Sequence, residues 1–437
     1  MHLDQTVSLK SHHTFGMEVE ARYFVEAKTH TEVLTLLNYR KMIHMPILFL
    51  GGGSNILFTG NFRGIVIKIN SKGIEIKEED EGQVLVTAEA GENWDEFVQY
   101  CVSRGWAGLE NLSLIPGKVG AAPIQNIGAY GVEVKDVIDS VLVAEIDSGK
   151  QKRYHNADCQ FGYRDSIFKR ALKGKVIILS VTFRLKKVQF DKVSEMQADK
   201  ETGLQVDKIT ELPDQGETSL DGNGEMESYS LRLDYGDIKG ELARMEVTDP
   251  TIREVREAIC HIRRRKLPDP DQIGNAGSFF KNPVVEKGFL QILLERFPAM
   301  PFFPQYTEKN KVPADFSGLR DNDKLHQTKS PVQSTVADES RDNDKLHQAK
   351  SPGQSTDVDE SRVFEDAKIP AAWLIEQCGW KGYRNGDAGV HPNQPLVLVN
   401  YGAANGQQIL ELANQIMDSV EKKFGIRLET EVNIIGS

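Results

Sequence analysis

The sequence of 437 residues predicts an α/β protein. Apolar runs of strand length alternate with amphipathic helical patterns, and two glycine-rich segments punctuate them. The chain then closes with an amphipathic helix, a glycine and an alternating segment, which is the pattern of helices packed on a sheet. Such a length allows two or three domains and a sizeable core.

Val19 to Ala27 alternates as a strand, and Thr31 is the expected cap of a helix carrying Val33, Leu34, Leu36 and Leu37. A second apolar run, Ile47 to Leu50, enters Gly51-Gly52-Gly53-Ser54-Asn55, and Gly64 to Ile69 reads as a third strand. Strand, helix, strand and glycine loop form a unit that offers backbone N–H groups to an anion. It lacks the dinucleotide fingerprint, because Ile56 stands where the third glycine belongs. It also lacks a P-loop, because Gly117-Lys118 is followed by Val119. A tight β-turn is the plainer reading of Gly51–Asn55; three glycines followed by Ser-Asn favour an anion cradle.

Gln83 to Glu89 is another strand, and Asn93 opens a helix to Arg104. The second glycine-rich segment runs from Asn111 to Gly131, with small residues at Gly117, Gly120, Ala121, Ala122, Gly128, Ala129 and Gly131. Such a run suits a surface against which an extended cofactor lies. A flexible loop would not need Ile115, Val119, Ile124 and Ile127 inside it. Lys187 to Glu227 is polar and almost free of aromatics, and is expected to form an excursion with little order. Asp249 with Pro250 at the first position should then start a helix whose Ile252, Val255, Ile259 and Ile262 share one face. Its basic end, Arg263 to Lys266, suits the helix dipole.

Gly274 to Pro283 sets Ser278 between glycines and an aromatic pair, with Lys281 and Asn282 close by. It reads either as a tight turn into a buried Phe279–Phe280 pair or as a hydroxyl facing a ligand. Arg320 to Ser340 recurs almost unchanged as Arg341 to Ser361, too poor in apolar residues to stack as a solenoid. Thr307 to Ser361 is therefore expected to be a disordered tandem insertion. Ala371 to Gln377 and Gln407 to Phe424 are helical, the second closed by Gly425. Ile426 to Ile435 alternates as a strand, with Ile426, Leu428, Val432 and Ile434 on one face and Arg427, Glu429, Glu431 and Asn433 on the other. Spacing does not separate Glu429 from Glu431.

A formal charge of −11 and the lack of a long basic stripe argue against nucleic-acid binding. The four cysteines, Cys101, Cys159, Cys260 and Cys378, form no CxxC pair, so neither a disulfide framework nor a metal site is expected. The polar N-terminus and the absence of any apolar run near ~20 residues lead to the expectation of a soluble, cytoplasmic protein with no membrane contact.

Five separated segments carry a family resemblance: Gly51 to Phe58, Ile115 to Gly131, Phe161 to Lys169, Gly274 to Pro283 and Leu428 to Val432. Together and in this order they resemble the UDP-N-acetylenolpyruvoylglucosamine reductase family, flavoenzymes also called UDP-N-acetylmuramate dehydrogenases. The resemblance implies an α/β (α+β) fold with a two-lobed FAD-binding domain of the vanillyl-alcohol-oxidase type and a C-terminal α/β substrate-binding domain. The implied boundaries are 1–70 with 426–437 for lobe 1, 71–247 for lobe 2 and 248–425 for the substrate domain. Bound FAD and NADPH as co-substrate are implied, with no metal and no obligatory protein partner. FAD contacts would come from Gly51, Gly52, Gly53, Ser54 and Asn55, and from Pro116, Gly117, Gly120, Ala121, Gln125, Asn126, Ile127, Gly128 and Gly131.

By motif match Ser278 is the proton donor, Arg164 steadies the substrate carboxylate and Glu431 assists it, while Lys281 is a candidate to stabilise the serine alkoxide. Without the resemblance, Arg164 would read as an ion-pair former with Asp165. Tyr235, Lys266, Asn282, Phe303 and Gln394 match substrate-binding positions. Tyr235 reads equally as a buried aromatic with a capped hydroxyl. The chain departs from the better-studied branch in two places. Phe303 replaces a substrate-covering tyrosine, which keeps stacking without the hydroxyl, and Asn433 replaces an arginine. A different FAD oxidoreductase of the same fold, or a flavin-binding protein without turnover, are the alternatives.

Overall fold

The computed structural model describes residues 3–40, 45–78, 82–188, 208–209, 229–305 and 364–436. Most of the polar excursion and all of the tandem repeat lie outside the described residues. The chain divides into two compact units, Met1–Pro283 with Pro370–Ser437, and Val284–Ile369.

The first unit opens with β1 (Asp4–Ser8), β2 (Glu20–Ala27), α1 (His30–Arg40), β3 (Ile47–Leu50), β4 (Ile56–Phe58) and β5 (Phe62–Ile69). Four of these strands form a sheet in the order β1-β2-β5-β3, with β5 parallel to both β2 and β3. The cap of α1 is Thr29 rather than Thr31: its Oγ1 accepts from Glu32 N at 3.2 Å. Glu32 in turn accepts from Lys28 N at 2.6 Å, so the helix begins one residue before Thr31, at His30.

Next come β6 (Ile74–Glu78), β7 (Gln83–Glu89), α2 (Trp94–Ser103), β8 (Trp106–Ala107), β9 (Gly128–Ala129), β10 (Val132–Glu133), β11 (Ile138–Glu145), β12 (Gln151–His155), β13 (Val176–Lys187) and β14 (Lys208–Ile209). They build a second sheet in the order β12-β11-β13-β7-β6-β14, while β9 and β10 form a small hairpin. Asn93 caps α2 as expected, accepting from Asp95 N and Glu96 N. Trp94, Phe97 and Phe183 pack together beneath this sheet, and the Trp94 indole donates to Leu112 O at 2.8 Å. A buried Trp needs such an acceptor for its N–H.

Two further helices, α3 (Ile238–Arg244) and α4 (Ile252–Lys266), pack on each other through Ile238, Leu242, Val255, Ile259 and Ile262. The cap of α4 is Thr251, with Glu254 closing a capping box; Pro250 stays outside the helix. Four more strands of this unit are β15 (Gly274–Ser278), β19 (Arg384–Asn385), β20 (Ala388–Val390) and β21 (Val397–Asn400), in the order β15-β21-β20-β19. Two more of its helices are α6 (Ala371–Gln377) and α7 (Gly406–Phe424), the latter capped by Asn405 and ended by left-handed Gly425. The final strand, β22 (Asn433–Ile435), returns to pair parallel with β4.

The C-terminal segment is not the single strand that its alternation predicts. Ile426, Leu428 and Val432 are buried as expected, but Ile434 is exposed. The reason is a change of partner: Thr430 bridges Phe280, and only from Asn433 does the chain pair with β4.

The second unit holds β16 (Val284–Glu286), α5 (Lys287–Arg296), β17 (Phe303–Gln305) and β18 (Asp366–Lys368). Its antiparallel sheet runs β16-β18-β17, with Leu290, Leu293 and Ala367 buried.

Candidate functional site

The two glycine-rich segments meet. Ser54 Oγ donates to Pro116 O at 3.0 Å, and Asn55 Nδ2 donates to Gln125 Oε1 at 3.0 Å. A Cβ on Gly52 would sit 3.2 Å from Gly117 Cα, and one on Gly117, whose φ is +136°, would sit 3.0 Å from Ser54 Oγ. Gly53 is left-handed at φ +66°, and a Cβ there would lie 2.1 Å from His12 O. Only glycines allow this approach. The result is a cradle lined by backbone, which suits the diphosphate of a dinucleotide.

The other expected cofactor residues divide between lining and support. Pro116 and Ala121 are exposed, while Gln125, Ile127 and Gly128 are half-buried. Gly120 lies against Ala90, whose Cβ would be 2.6 Å from an added methyl. The Asn126 side chain is engaged within the chain: it donates to Glu133 Oε2 (3.1 Å) and Gly162 O (2.9 Å) and accepts from Lys135 N (3.1 Å). Tyr235 covers Gly131, with its Cβ 3.3 Å from where a Gly131 side chain would begin.

Three distant segments converge beside this cradle. In β15 Gly277 is left-handed at φ +67°, its N–H donates to Asn275 Oδ1 at 2.9 Å, and the strand register shifts between Asn275 and Ser278. This irregularity sets Ser278 at the strand end, half-buried. Phe279 and Phe280 are fully buried and edge-on to each other, so the aromatic pair is core. Phe279 O accepts from Glu431 N at 2.8 Å, and Lys281 N donates to Glu429 O at 2.9 Å. The C-terminal segment thereby runs alongside the residues that follow Ser278. Asn55 Nδ2 also donates to Glu431 O at 3.2 Å, which ties the first glycine loop to the same place.

Arg164 arrives from the connection between β12 and β13. It is left-handed at φ +52°, uncommon outside glycine. Lys169 Nζ donates to its carbonyl at 3.0 Å. The guanidinium donates to Gly128 O at 2.7 Å, and Nε stands 3.3 Å from Glu431 Oε1. Asp165, the alternative partner, is paired with Arg170 instead. A Cβ on Gly128 would come within 3.1 Å of the guanidinium.

The two carboxylates on the C-terminal segment now separate. Glu429 is 73 % exposed and paired with Lys281 at 2.6 Å, which holds its carboxyl below the usual range. Glu431 is 12 % exposed, and burial raises its pKa against the pull of Arg164, Lys169 and Lys281. Lys281, the expected alkoxide partner, is thus held by Glu429.

Asn282 accepts from Ala371 N at 2.9 Å, satisfying a free N–H at the start of α6. Gln394 lies in the turn before β21, and Lys266 is exposed at the end of α4. Tyr235 is 53 % exposed, which removes the buried-aromatic reading. Phe303 belongs to the second unit, 43 % exposed on β17.

Sequence reasoning missed Tyr163 and Lys169. Burial raises the Tyr163 phenol, which hydrogen-bonds Asn282 beside Arg164. Burial lowers the Lys169 ammonium, and Lys281 adds to that effect. Both lie in the Phe161–Lys169 segment, but nothing in its spacing shows that they turn towards Arg164 and Glu431. Among the described residues no group of three metal-ligating side chains occurs, and no helix is long and apolar enough to cross a membrane. The four cysteines are free thiols.

Comparisons with known proteins bear on the same segments. A family model for an FAD binding domain matches residues 21–154, and one for the C-terminal domain of UDP-N-acetylenolpyruvoylglucosamine reductase matches 269–435. The UDP-N-acetylenolpyruvoylglucosamine reductase of Chromobacterium violaceum is 38 % identical over 98 % of this chain and 98 % of its own length. The chain belongs to the UDP-N-acetylenolpyruvoylglucosamine reductase family. The enzyme of that name from Flavobacterium johnsoniae is 36 % identical over the full length of both chains. A crystal structure of the Thermus caldophilus reductase matches 99 % of this chain with a TM-score of 0.53 at 19 % identity, which speaks to the fold. As a reductase of this family the protein is an FAD-dependent oxidoreductase with an α/β fold, and the backbone-lined cradle between Gly52 and Gly117 fits that cofactor.

Proposed function

We propose that the protein uses NADPH to reduce UDP-N-acetylglucosamine enolpyruvate to UDP-N-acetylmuramate, a step of peptidoglycan precursor synthesis. One observation carries this reading: Arg164, Glu431 and the Ser278 strand end, far apart in sequence, converge beside the glycine cradle. FAD, when bound there, would supply two-electron hydride chemistry linking NADPH to C3 of the enolpyruvyl group. Gly51–Asn55, Pro116–Gly117 and the backbone around Gln125–Gly128 would hold it.

Hydride addition at C3 builds negative charge at C2 and in the attached carboxylate. Arg164 answers that charge through its guanidinium, which Gly128 O and Glu431 aim. Ser278 gives its hydroxyl proton to C2. A serine is a weak acid in water, so the alkoxide it leaves needs cations nearby. The Arg164, Lys169 and Lys281 group supplies them; Lys281 would first have to leave Glu429. Glu431 keeps Arg164 oriented, and burial raises its own pKa against the pull of that cation.

Tyr235, Lys266, Asn282 and Gln394 are assigned to the nucleotide-sugar, and Phe303, in the second unit, is the counterpart in sequence of the family's substrate-binding tyrosine. The same reading divides the chain into FAD lobes at 1–70 with 426–437 and at 71–247, and a substrate domain at 248–425. It also gives the protein a cytoplasmic location without nucleic-acid, membrane or obligatory protein partners, in keeping with the charge of −11.

The test is direct. The purified protein should carry a yellow flavin, and NADPH oxidation should accelerate when the enolpyruvyl nucleotide is added. Flavin without substrate-dependent oxidation would refute the reaction while leaving the fold intact.

A further inference from the structure

Lys118 stands next to the glycine that forms one wall of the cradle. Its neighbours are fixed by backbone hydrogen bonds: Trp94 N donates to Gly117 O at 3.1 Å, and Val119 N donates to Glu92 O at 3.0 Å. The Lys118 stem lies along the opposite wall. A Cβ on Gly51 would be 3.7 Å from both its Cβ and its Cγ, and one on Gly52 would be 3.6 Å from its Cγ. The side chain is therefore half-buried where the two glycine loops face each other.

Three lysines influence one another here, and two of them are already paired. Lys72 Nζ is 3.1 Å from Glu92, and Lys68 Nζ is 3.6 Å from Glu26 and 3.3 Å from His12 Nδ1. Among the described residues Lys118 has no such partner within salt-bridge distance. Burial and the nearby Lys72 hold its ammonium below the usual lysine range, with Glu96 only partly opposing them. A half-buried cation without an anion destabilises the free protein. A bound anion would relieve it.

We propose that Lys118 is a ligand of the FAD diphosphate, adding an ionic contact to the backbone cradle of Gly51–Ser54 and Gly117. This rests on the reading that those loops hold FAD. An ammonium at such a site acts as a point charge on phosphate, so its contribution falls with ionic strength. Lys72 and Lys68 contribute less, because their own carboxylates already neutralise much of their charge.

The experiment follows FAD release from diluted holoenzyme by flavin fluorescence, across a series of NaCl concentrations, for the wild type, Lys118→Met, Lys118→Arg and Lys72→Met. Lys118→Met should bind FAD about tenfold more weakly than the wild type and show a shallower salt dependence. Lys118→Arg should recover most of the affinity, and Lys72→Met should lose less than Lys118→Met. Unchanged FAD affinity and salt dependence in Lys118→Met would overturn the proposal. If Lys118→Met does not fold, as judged by circular dichroism, wild-type release that is insensitive to salt would overturn it equally. A wild type that carries no flavin and takes up none when FAD is supplied would instead remove the underlying reading of the loops.

Discussion

His30 shows how a single titratable group ties parts of this unit together. It stands at the first residue of α1, yet its ring lies 2.7 Å from Glu89 of β7 and 3.3 Å from Leu179 O. The hydrogen bond to Glu89 raises its pKa above the ordinary 6.5, with burial opposing. A histidine whose folded pKa is raised contributes stability that is fully present below its unfolded value and is lost as pH rises through the folded one. His30→Gln should therefore cost on the order of 1 kcal/mol near pH 6 and much less at pH 9, by urea unfolding. An equal cost at both pH values would contradict the ion-pair account. The residues that define the candidate site are less legible in sequence. Glu429 and Glu431 share a strand face by spacing, and only the neighbours brought by folding separate them: solvent and Lys281 for one, Arg164 and burial for the other. The left-handed backbone of Arg164 is equally invisible, since no glycine marks it.

Helices were legible in their faces and less so in their starts. Ile252, Val255, Ile259 and Ile262 share the buried stripe of α4, as their spacing requires. Its cap is ambiguous in sequence because Asp249-Pro250 and Thr251 both offer valid starts; Glu254, placed to complete a capping box with Thr251, decides between them. The start of α7 carries a sharper constraint. A Cβ on Gly406 would lie 1.7 Å from Phe58 O, so α7 reaches β4 only because that position has no side chain. On helix propensity alone Gly406→Ala would stabilise by up to about 1 kcal/mol. The clash should outweigh this and leave a net loss of about 2–4 kcal/mol in chemical denaturation, beyond the ~1 kcal/mol expected for removing the neighbouring cap in Asn405→Ala. A neutral or stabilising Gly406→Ala would show that the helix can back away from β4 without penalty.

At the scale of the molecule, the fold class followed from patterns that act locally, whereas the site depends on closure over long sequence distances. The Gly51–Asn55 loop, the Asn111–Gly131 segment, Arg164, the Ser278 strand end and the C-terminal segment come together because β22 returns to β4 and because residues 429–431 run beside 279–281. Periodicity reports which face of an element is apolar but not which partner it will meet, so the C-terminal alternation predicts one strand although the partner changes between Thr430 and Asn433. Motif order supplied what periodicity lacked, and the family assignment agrees with it. The proposed chemistry needs hydride delivery and proton delivery to be separable, since they fall to different groups. Stopped-flow spectroscopy of Ser278→Ala measures them separately. Flavin bleaching by NADPH should proceed at nearly the wild-type rate, while reoxidation by the enolpyruvyl nucleotide should slow by about 10²–10⁴-fold. Equal slowing of both half-reactions, or reoxidation at the wild-type rate, would contradict Ser278 as the proton donor.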